Sequence, residues 1–428
     1  MNPLPPKWIL LRGGRPPVGI TRLLILAVGL LLSRGAEAQF VVSFTDLNPA
    51  GATNSQAVAV SGTQQVGTAI VNGLFRAVLW SGTAGSFVGL NPIGASSSFG
   101  NATSGSQQAG YAASAGGVYA ALWSGTALSV VDLHPYYLGA DFSMAFGMGG
   151  SQQVGRASFF SDSHAALWTG TANSFVDLHP AGASTSVAYG TSGSNQVGLA
   201  RIGGVDHAAL WSGTAGSFVD LHPAGASSSI ALAVSGSQQA GGVTMGGTNR
   251  AALWSGTAAA FMDLHPAGAT SSGLHAASGP YQAGFATVGG TNHAGLWFGK
   301  AGSFMDLHTV LAATYSDSQA RGIWSDGSTI YVAGFAKEIS SGETHAMLWT
   351  LAELPVPNLS IAGAQQADGS TVATLTWTNN GRQCELQSAG TLTGNWNTVT
   401  TPWTTNANWI VTTVTNTSFW QFFRLRGE

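Results

Sequence analysis

Charge is what this sequence has least of. Asp, Glu, Lys and Arg make up only 8% of its 428 residues, where a soluble domain averages about a quarter. A surface built from Gly, Ser, Thr, Ala and Asn is polar through hydroxyls and amides instead. Clustered Lys and Arg, which phosphate binding requires, are absent, and this excludes nucleic acid as a partner. Cys384 is the single cysteine, so neither an intrachain disulfide nor a cysteine-based zinc site can form. No GxSxG or HExxH occurs, and no Gly-rich turn leads into a helical pattern that could cradle a phosphate. Apolar spacing of 3.6 over ten residues is missing too, and glycine interrupts every segment, which excludes helical repeats. No cofactor or metal is expected.

The N-terminus reads as an export signal. Lys7, Arg12, Arg15 and Arg22 precede the apolar run "LLILAVGLLL", and "AEA" stands before Gln39, a small-x-small cleavage pattern. The run is about half the length of a membrane span, and no later segment is longer. Residues 1–38 are therefore expected to be removed, leaving a secreted or cell-surface chain with no membrane span. Five of the 15 basic and one of the 18 acidic residues go with the signal, so 10 minus 17 leaves a net charge of −7.

What is present is a repeat. "HAALWSGTAGSFVDLHPAGASSS", from His207, returns nearly unchanged from His164 and from Arg250. Trp80, Trp123, Trp168, Trp211, Trp254, Trp297 and Trp349 mark seven copies, spaced by 43, 45, 43, 43, 43 and 52 residues. Each copy holds four short strand-like pieces divided by Gly, Ser or Asn, as in "SVAYGTSG", "QVGLARIGG", "DHAALWSG" and "SFVDLHP". Four strands in about 43 residues is the size of a propeller blade. The seventh copy runs into "AELPVP" without its fourth strand, while "SFTDLNP", residues 43–49, stands alone before the first copy. Supplying the last blade's missing strand from the N-terminus is how a propeller closes its ring. The expected fold is all-β: a seven-bladed β-propeller over residues 39–353, closed by an N-terminal strand, then a small β-sandwich over residues 354–428, where alternating runs such as "STVATLTWT" replace the repeat.

The motifs "HAALW", "HAGLW" and "HAMLW", each followed by an aspartate-leucine pair, resemble the extracellular repeats of the HAF family over about 310 residues. The third motif position, commonly Phe in that family, is Ala166, Ala209, Gly295 or Met347, and "DLHPAGA" stands where "DLGTLGG" is usual. The resemblance implies an exported repeat protein and supplies no catalytic residues. "FFRLRGE", after "NWNTVTTPWT", is similar to fibronectin-like C-terminal modules of exported verrucomicrobial and planctomycete proteins.

The repeated tryptophans are expected to be packing residues. In "DLH", Asp132 with His134, and likewise Asp177 with His179, Asp220 with His222, Asp263 with His265 and Asp306 with His308, share one strand face. A metal pair and an Asp-to-His hydrogen bond both fit that spacing, and five equal copies favour the bond. Antiparallel order sends the fourth-to-first and second-to-third connections to one side of each blade, and nine of the ten histidines gather there. The candidate ligand-binding residues are those four before each Trp: Arg76, Tyr119, His164, His207, Arg250, His293 and His345. A non-catalytic module for adhesion, scaffolding or recognition of an extracellular glycan or protein is the leading reading. A polysaccharide-active propeller enzyme with its site at the central channel is the alternative. Divergent channel residues would favour the enzyme, and seven near-identical ones binding or scaffolding.

Overall fold

The computed structural model describes residues 40–354, apart from Ser161, and residues 359–365, 371–378, 384–389, 395, 397–405, 409–416 and 422–427. The proposed signal, residues 1–38, lies outside them. Val42–Leu351 form one compact unit, and the C-terminal residues from Ala352 belong to a second. The described chain is all-β, with short 3-10 turns as its only helical elements, so no helix is long and apolar enough to cross a membrane.

In the larger unit each repeat folds into one antiparallel sheet of four strands in chain order. The fourth copy shows the plan, with strands Thr185–Thr191, Gln196–Ile202, Val205–Trp211 and Val219–Asp220. The seventh sheet contains Tyr315–Ser325, Thr329–Glu338 and Thr344–Glu353, and Phe40–Asp46 lies in the fourth place, beside Thr344–Glu353. The Leu47 amide extends this contact by donating to the Ala346 carbonyl at 2.8 Å. The lone "SFTDLNP" thus occupies the position that its likeness to "SFVDLHP" assigns.

All seven repeat tryptophans are fully buried, and six of them, Trp80 to Trp297, lie in cores shared by two neighbouring sheets. Trp168 packs with Leu122 and Leu133 of the sheet before it, and Trp254 with Leu210 and Leu221. Trp80, in the first sheet, packs with Leu47, Ala333, Ala346 and Leu348 of the last. A single sheet of four short strands cannot bury both its faces, so stacking is what makes each repeat stable.

Each first strand also carries a β-bulge at one equivalent position, skipping Val58, Asn101, Phe146, Tyr189, Leu232, His275 or Arg321 in the pairing with the second strand. The bulge drives a first-strand carbonyl toward the second strand. A Cβ on Gly198 would lie 1.9 Å from the Val187 oxygen, and one on Gly241 2.0 Å from that of Ile230. Only glycine fits there, which accounts for the recurrent "VG" and "AG" of the second strands.

The smaller unit has two sheets. One orders Leu359–Gln365, Thr371–Thr378, Trp409–Asn416 and Trp403–Thr405, and the other Asn397–Thr398, Cys384–Ala389 and Phe422–Gly427. Leu375 and Trp377 from the first share a buried cluster with Leu386 and Phe423 from the second.

Candidate functional site

The repeated polar residues hold the sheets to one another. Ser229, buried at the start of the fifth sheet, accepts a hydrogen bond from the Ala208 amide of the fourth at 2.8 Å, and its hydroxyl meets His222 Nδ1 at 2.8 Å. His222 Nε2 lies 3.2 Å from the Ala226 carbonyl. Because a carbonyl only accepts, the proton belongs on Nε2, and the serine donates to Nδ1. Ser143 with His134, Ser186 with His179 and Ser272 with His265 repeat the arrangement. Asn48 and Asn91 occupy the histidine's place in two copies: each Oδ1 accepts from a serine, Ser55 or Ser98, and each Nδ2 reaches the Ala52 or Ala95 carbonyl. An amide can present only that one polarity here, which supports the neutral Nε2–H form for the imidazoles. Burial holds His134, His179, His222 and His308 below the ordinary imidazole pKa, with the facing His164, His207 and His293 adding to this for the last three.

Removing one serine hydroxyl strands both a buried amide and a buried imidazole nitrogen. Ser229→Ala should therefore cost about 2–4 kcal/mol, read as a lower midpoint in urea at unchanged slope. A midpoint equal to the parent's would contradict the clasp.

The aspartate of "DLH" does not bond the ring of its own histidine, as the spacing suggested. Its Oδ1 accepts the backbone amide two residues on, at 2.7–2.8 Å in the five copies, and so closes the turn. Its other oxygen reaches the residue four before the Trp. His164, His207, His293 and His345 donate through Nδ1 to Asp177, Asp220, Asp306 and Asp46 at 2.7–2.8 Å, and Arg250 donates to Asp263 at 2.8 Å. Gly89 replaces the aspartate in the first sheet, and Arg76 turns instead to the Ala95 and Ser96 carbonyls. Tyr119 donates to the Gly116 carbonyl, and Asp132 is taken by Tyr136 at 2.9 Å. The seven candidate residues are thus spread one per sheet, and none lines the cavity that the sheets share. Tyr119 alone borders a separate hollow with Ile93 and Val130. The four histidines keep between 12 and 23% of their side-chain surface exposed, and His164 and His207 stack on His179 and His222 with ring centres 4.1 Å apart.

The repeated glutamine is used in the same way on the other side. Gln65, Gln108, Gln153, Gln196, Gln239 and Gln282 each accept from a glycine amide in the turn after the third strand, at 2.7–2.9 Å.

Residues that do not repeat are concentrated on the first strands. A cavity of about 170 Å³ is lined by residues from the first strand of all seven sheets, among them Val58, Asn101, Leu232, His275 and Arg321. These are bulge residues, and the bulge position differs in every copy. Its near neighbour on the second strand varies almost as much, running Thr68, Tyr111, Arg156, Leu199, Gly242, Phe285 and Phe335. Just before the bulge, the positions Ala57, Gly100, Ala145, Ala188, Ala231 and Ala320 stay small, and the sixth sheet has Leu274 there.

His275, the one histidine outside the repeat, is among these wall residues. Its Nδ1 donates to the Ala320 carbonyl at 2.9 Å, Nε2 accepts from Arg321 at 2.9 Å, and its ring lies near-parallel to Phe285. Burial, with the Arg321 guanidinium second, pushes its pKa down to about 3. Arg321 stacks over Phe335, and Arg156, in the third sheet, stacks over Phe142 and Phe146. No carboxylate lines the shared cavity among the described residues, and no group of three His, Cys, Asp or Glu among them could hold a metal ion. Sequence reading missed this wall because it sought chemistry inside the repeat. The signal was present in what the copies do not share.

No protein-family model matches the chain, and no curated protein sequence does. Among solved structures it is similar to a prolyl endopeptidase, at 10% identity and a TM-score of 0.44 over 78% of this chain and 56% of that one. It is also similar to TolB from Acinetobacter baumannii, at 11% and 0.43 over 68% of each chain. The β-propeller domain of the Trilobed protease from Pyrococcus furiosus is a third, at 9% and 0.42 over 71% of this chain and 97% of that one. The chain spans just over half the length of the prolyl endopeptidase.

Proposed function

We propose that the chain is an exported recognition module: a seven-bladed β-propeller, closed by its N-terminal strand and followed by a β-sandwich of the fibronectin-like kind. Its HAF-like repeats form the scaffold, and the divergent residues at the channel select an extracellular ligand, glycan or protein. One observation carries the reading. The packing and clasp positions of the seven copies are held nearly constant while the bulge position differs in all seven. A scaffold alone gains nothing from varying these residues, five of which, Val58, Asn101, Leu232, His275 and Arg321, line one cavity, whereas a ligand without sevenfold symmetry requires such variety.

By the criterion drawn from the sequence this divergence favours the enzyme, and only the chemistry of the wall speaks against it. Glycosidic hydrolysis calls for a pair of carboxyl groups about 5–10 Å apart, and the wall of the shared cavity offers arginine, histidine, amide and apolar groups. Binding without turnover fits that set. The test is a glycan and surface-protein screen of residues 39–428 with turnover assayed alongside. Reproducible ligand release products would replace recognition by catalysis.

The histidines before each Trp then act as ties. His207→Ala and His293→Ala should each lower stability by about 1 kcal/mol, the scale of a partly exposed pair, and leave affinity for a screened ligand within about twofold. Lost binding at an unchanged melting temperature would return the site to those residues.

A further inference from the structure

The fifth and sixth sheets contain a hollow that the other copies fill. At the second-strand position held by Leu199, Tyr111 and Arg156 elsewhere stands Gly242, and at the first-strand position held by Phe99, Met144 and Ile230 stands Gly273. Backbone geometry does not demand glycine at 242, because a Cβ there would meet its nearest atoms at 3.8 and 3.9 Å, ordinary contact. At 273 the missing side chain makes room for the Phe285 ring, which a Cβ would approach to 2.9 Å. The result is a cavity of about 280 Å³, close to the lower end of the ~300–1,000 Å³ usual for small-molecule sites. It has room for one ring-sized ligand.

Its walls are of two kinds. Leu199, Ile230, Leu232 and Phe285 make an apolar surface, with Phe285 oriented by its stacking on His275. Ser228, Thr244, Asn249 and Asp206 make the polar part. There the Ser228 hydroxyl donates to Thr244 Oγ1 at 2.9 Å, and Thr244 donates to Asn249 Oδ1 at 2.9 Å. This chain fixes the carboxamide, so that Asn249 offers its NH2 as a donor. Asp206 spends one oxygen on Arg201 at 3.1 Å and keeps the other as an acceptor. Since Arg201 compensates that carboxylate, the pocket favours no net charge in its occupant. A group that both donates and accepts, attached to a ring with an apolar face, satisfies all of these walls at once.

From this, and resting on the recognition reading above, we infer that the hollow between the fifth and sixth sheets binds a neutral pyranose unit of a glycan. The sugar's C–H face lies on Phe285 and the aliphatic side chains, and its hydroxyls bond Asn249 and Asp206.

Saturation-transfer NMR on residues 39–428, with the methyl glycosides of glucose, galactose and mannose as probes and indole as an apolar control, tests this. At least one glycoside should receive saturation, strongest on its ring C–H protons. Gly242→Leu copies Leu199 into the equivalent place, so the fold tolerates it; it should abolish the signal at an unchanged melting temperature. Asn249→Ala should weaken binding about tenfold. Equal glycoside signals in the parent and in Gly242→Leu would overturn the pocket while leaving recognition elsewhere on the protein standing. Indole binding lost in Gly242→Leu, with no glycoside signal, would overturn the sugar. Silence of all glycosides with a positive surface-protein screen would likewise sink the pyranose and spare the module; silence in both would end both readings.

Discussion

Deleting residues 39–49 is expected to abolish cooperative unfolding of the large unit, or to lower its stability by more than about 5 kcal/mol, against a total of roughly 5–15 kcal/mol for a domain. The segment removes more than a strand. Leu47 is completely buried in a core with Trp80 and Leu348, and truncating such a leucine alone costs about 2–5 kcal/mol. Asp46 holds His345 at 2.7 Å and the Tyr315 hydroxyl at 2.9 Å, and both lose their acceptor. Asn48 accepts from Ser55, so one of the clasps goes as well. The strand Thr344–Glu353 is left as an unpaired edge, open to pairing between molecules. Near-UV circular dichroism during thermal unfolding is the measurement, with Leu47→Ala as a graded control that should fall between deletion and parent. A deletion variant melting within about 2 °C of the parent would contradict the role given to this strand.

Acid should destabilise the protein well above the range where carboxylates titrate. His134, His179, His222 and His308 are held below the ordinary imidazole value by burial, and His275 is held at about 3. In each case the folded pKa lies below the unfolded one, near 6.5. Below pH ~6.5 the unfolded chain therefore binds more protons, and stability present above that pH is lost as pH falls. For His275 the loss continues toward pH 3, on the order of 4 kcal/mol by pH ~3.5 at about 1.4 kcal/mol per unit. Protonating a clasp histidine also costs the bond from serine, since Nδ1 can no longer accept. The melting temperature should therefore fall steadily from pH 6.5 downward. The double variant His179→Asn/His222→Asn, which copies Asn48 and Asn91, should shallow that slope without lowering stability at pH 8. A parent curve flat between pH 7 and 4.5 would refute the assignment of neutral buried imidazoles.

Much of the architecture was legible because repetition multiplies weak signals. One "SFVDLHP" is an ambiguous short strand, but seven tryptophans at nearly equal spacing set the unit, and the displaced "SFTDLNP" pointed to the last sheet, where it lies. Asp177 and His179 show where such reading stops. Spacing placed them on one strand face, and from that an Asp-to-His bond was a fair expectation. Only packing revealed that His179 turns to Ser186 of the next sheet, while Asp177 accepts a hydrogen bond from His164 thirteen residues earlier. Sequence separation does not encode which neighbouring sheet a side chain meets.

By itself the sequence determined the strand period, the turns, the low charge and the repeated packing residues, because local sterics and hydrophobic alternation act within a few residues. The tertiary structure alone decided which variable positions meet. Val58 and Arg321 are 263 residues apart in the chain yet line one cavity, because the stacking of seven sheets brings all the first strands to the same space. Likewise Gly242 and Gly273 are unremarked glycines in a glycine-rich chain until adjacent sheets place them on one hollow, where the first leaves open volume and the second admits the Phe285 ring that forms a wall.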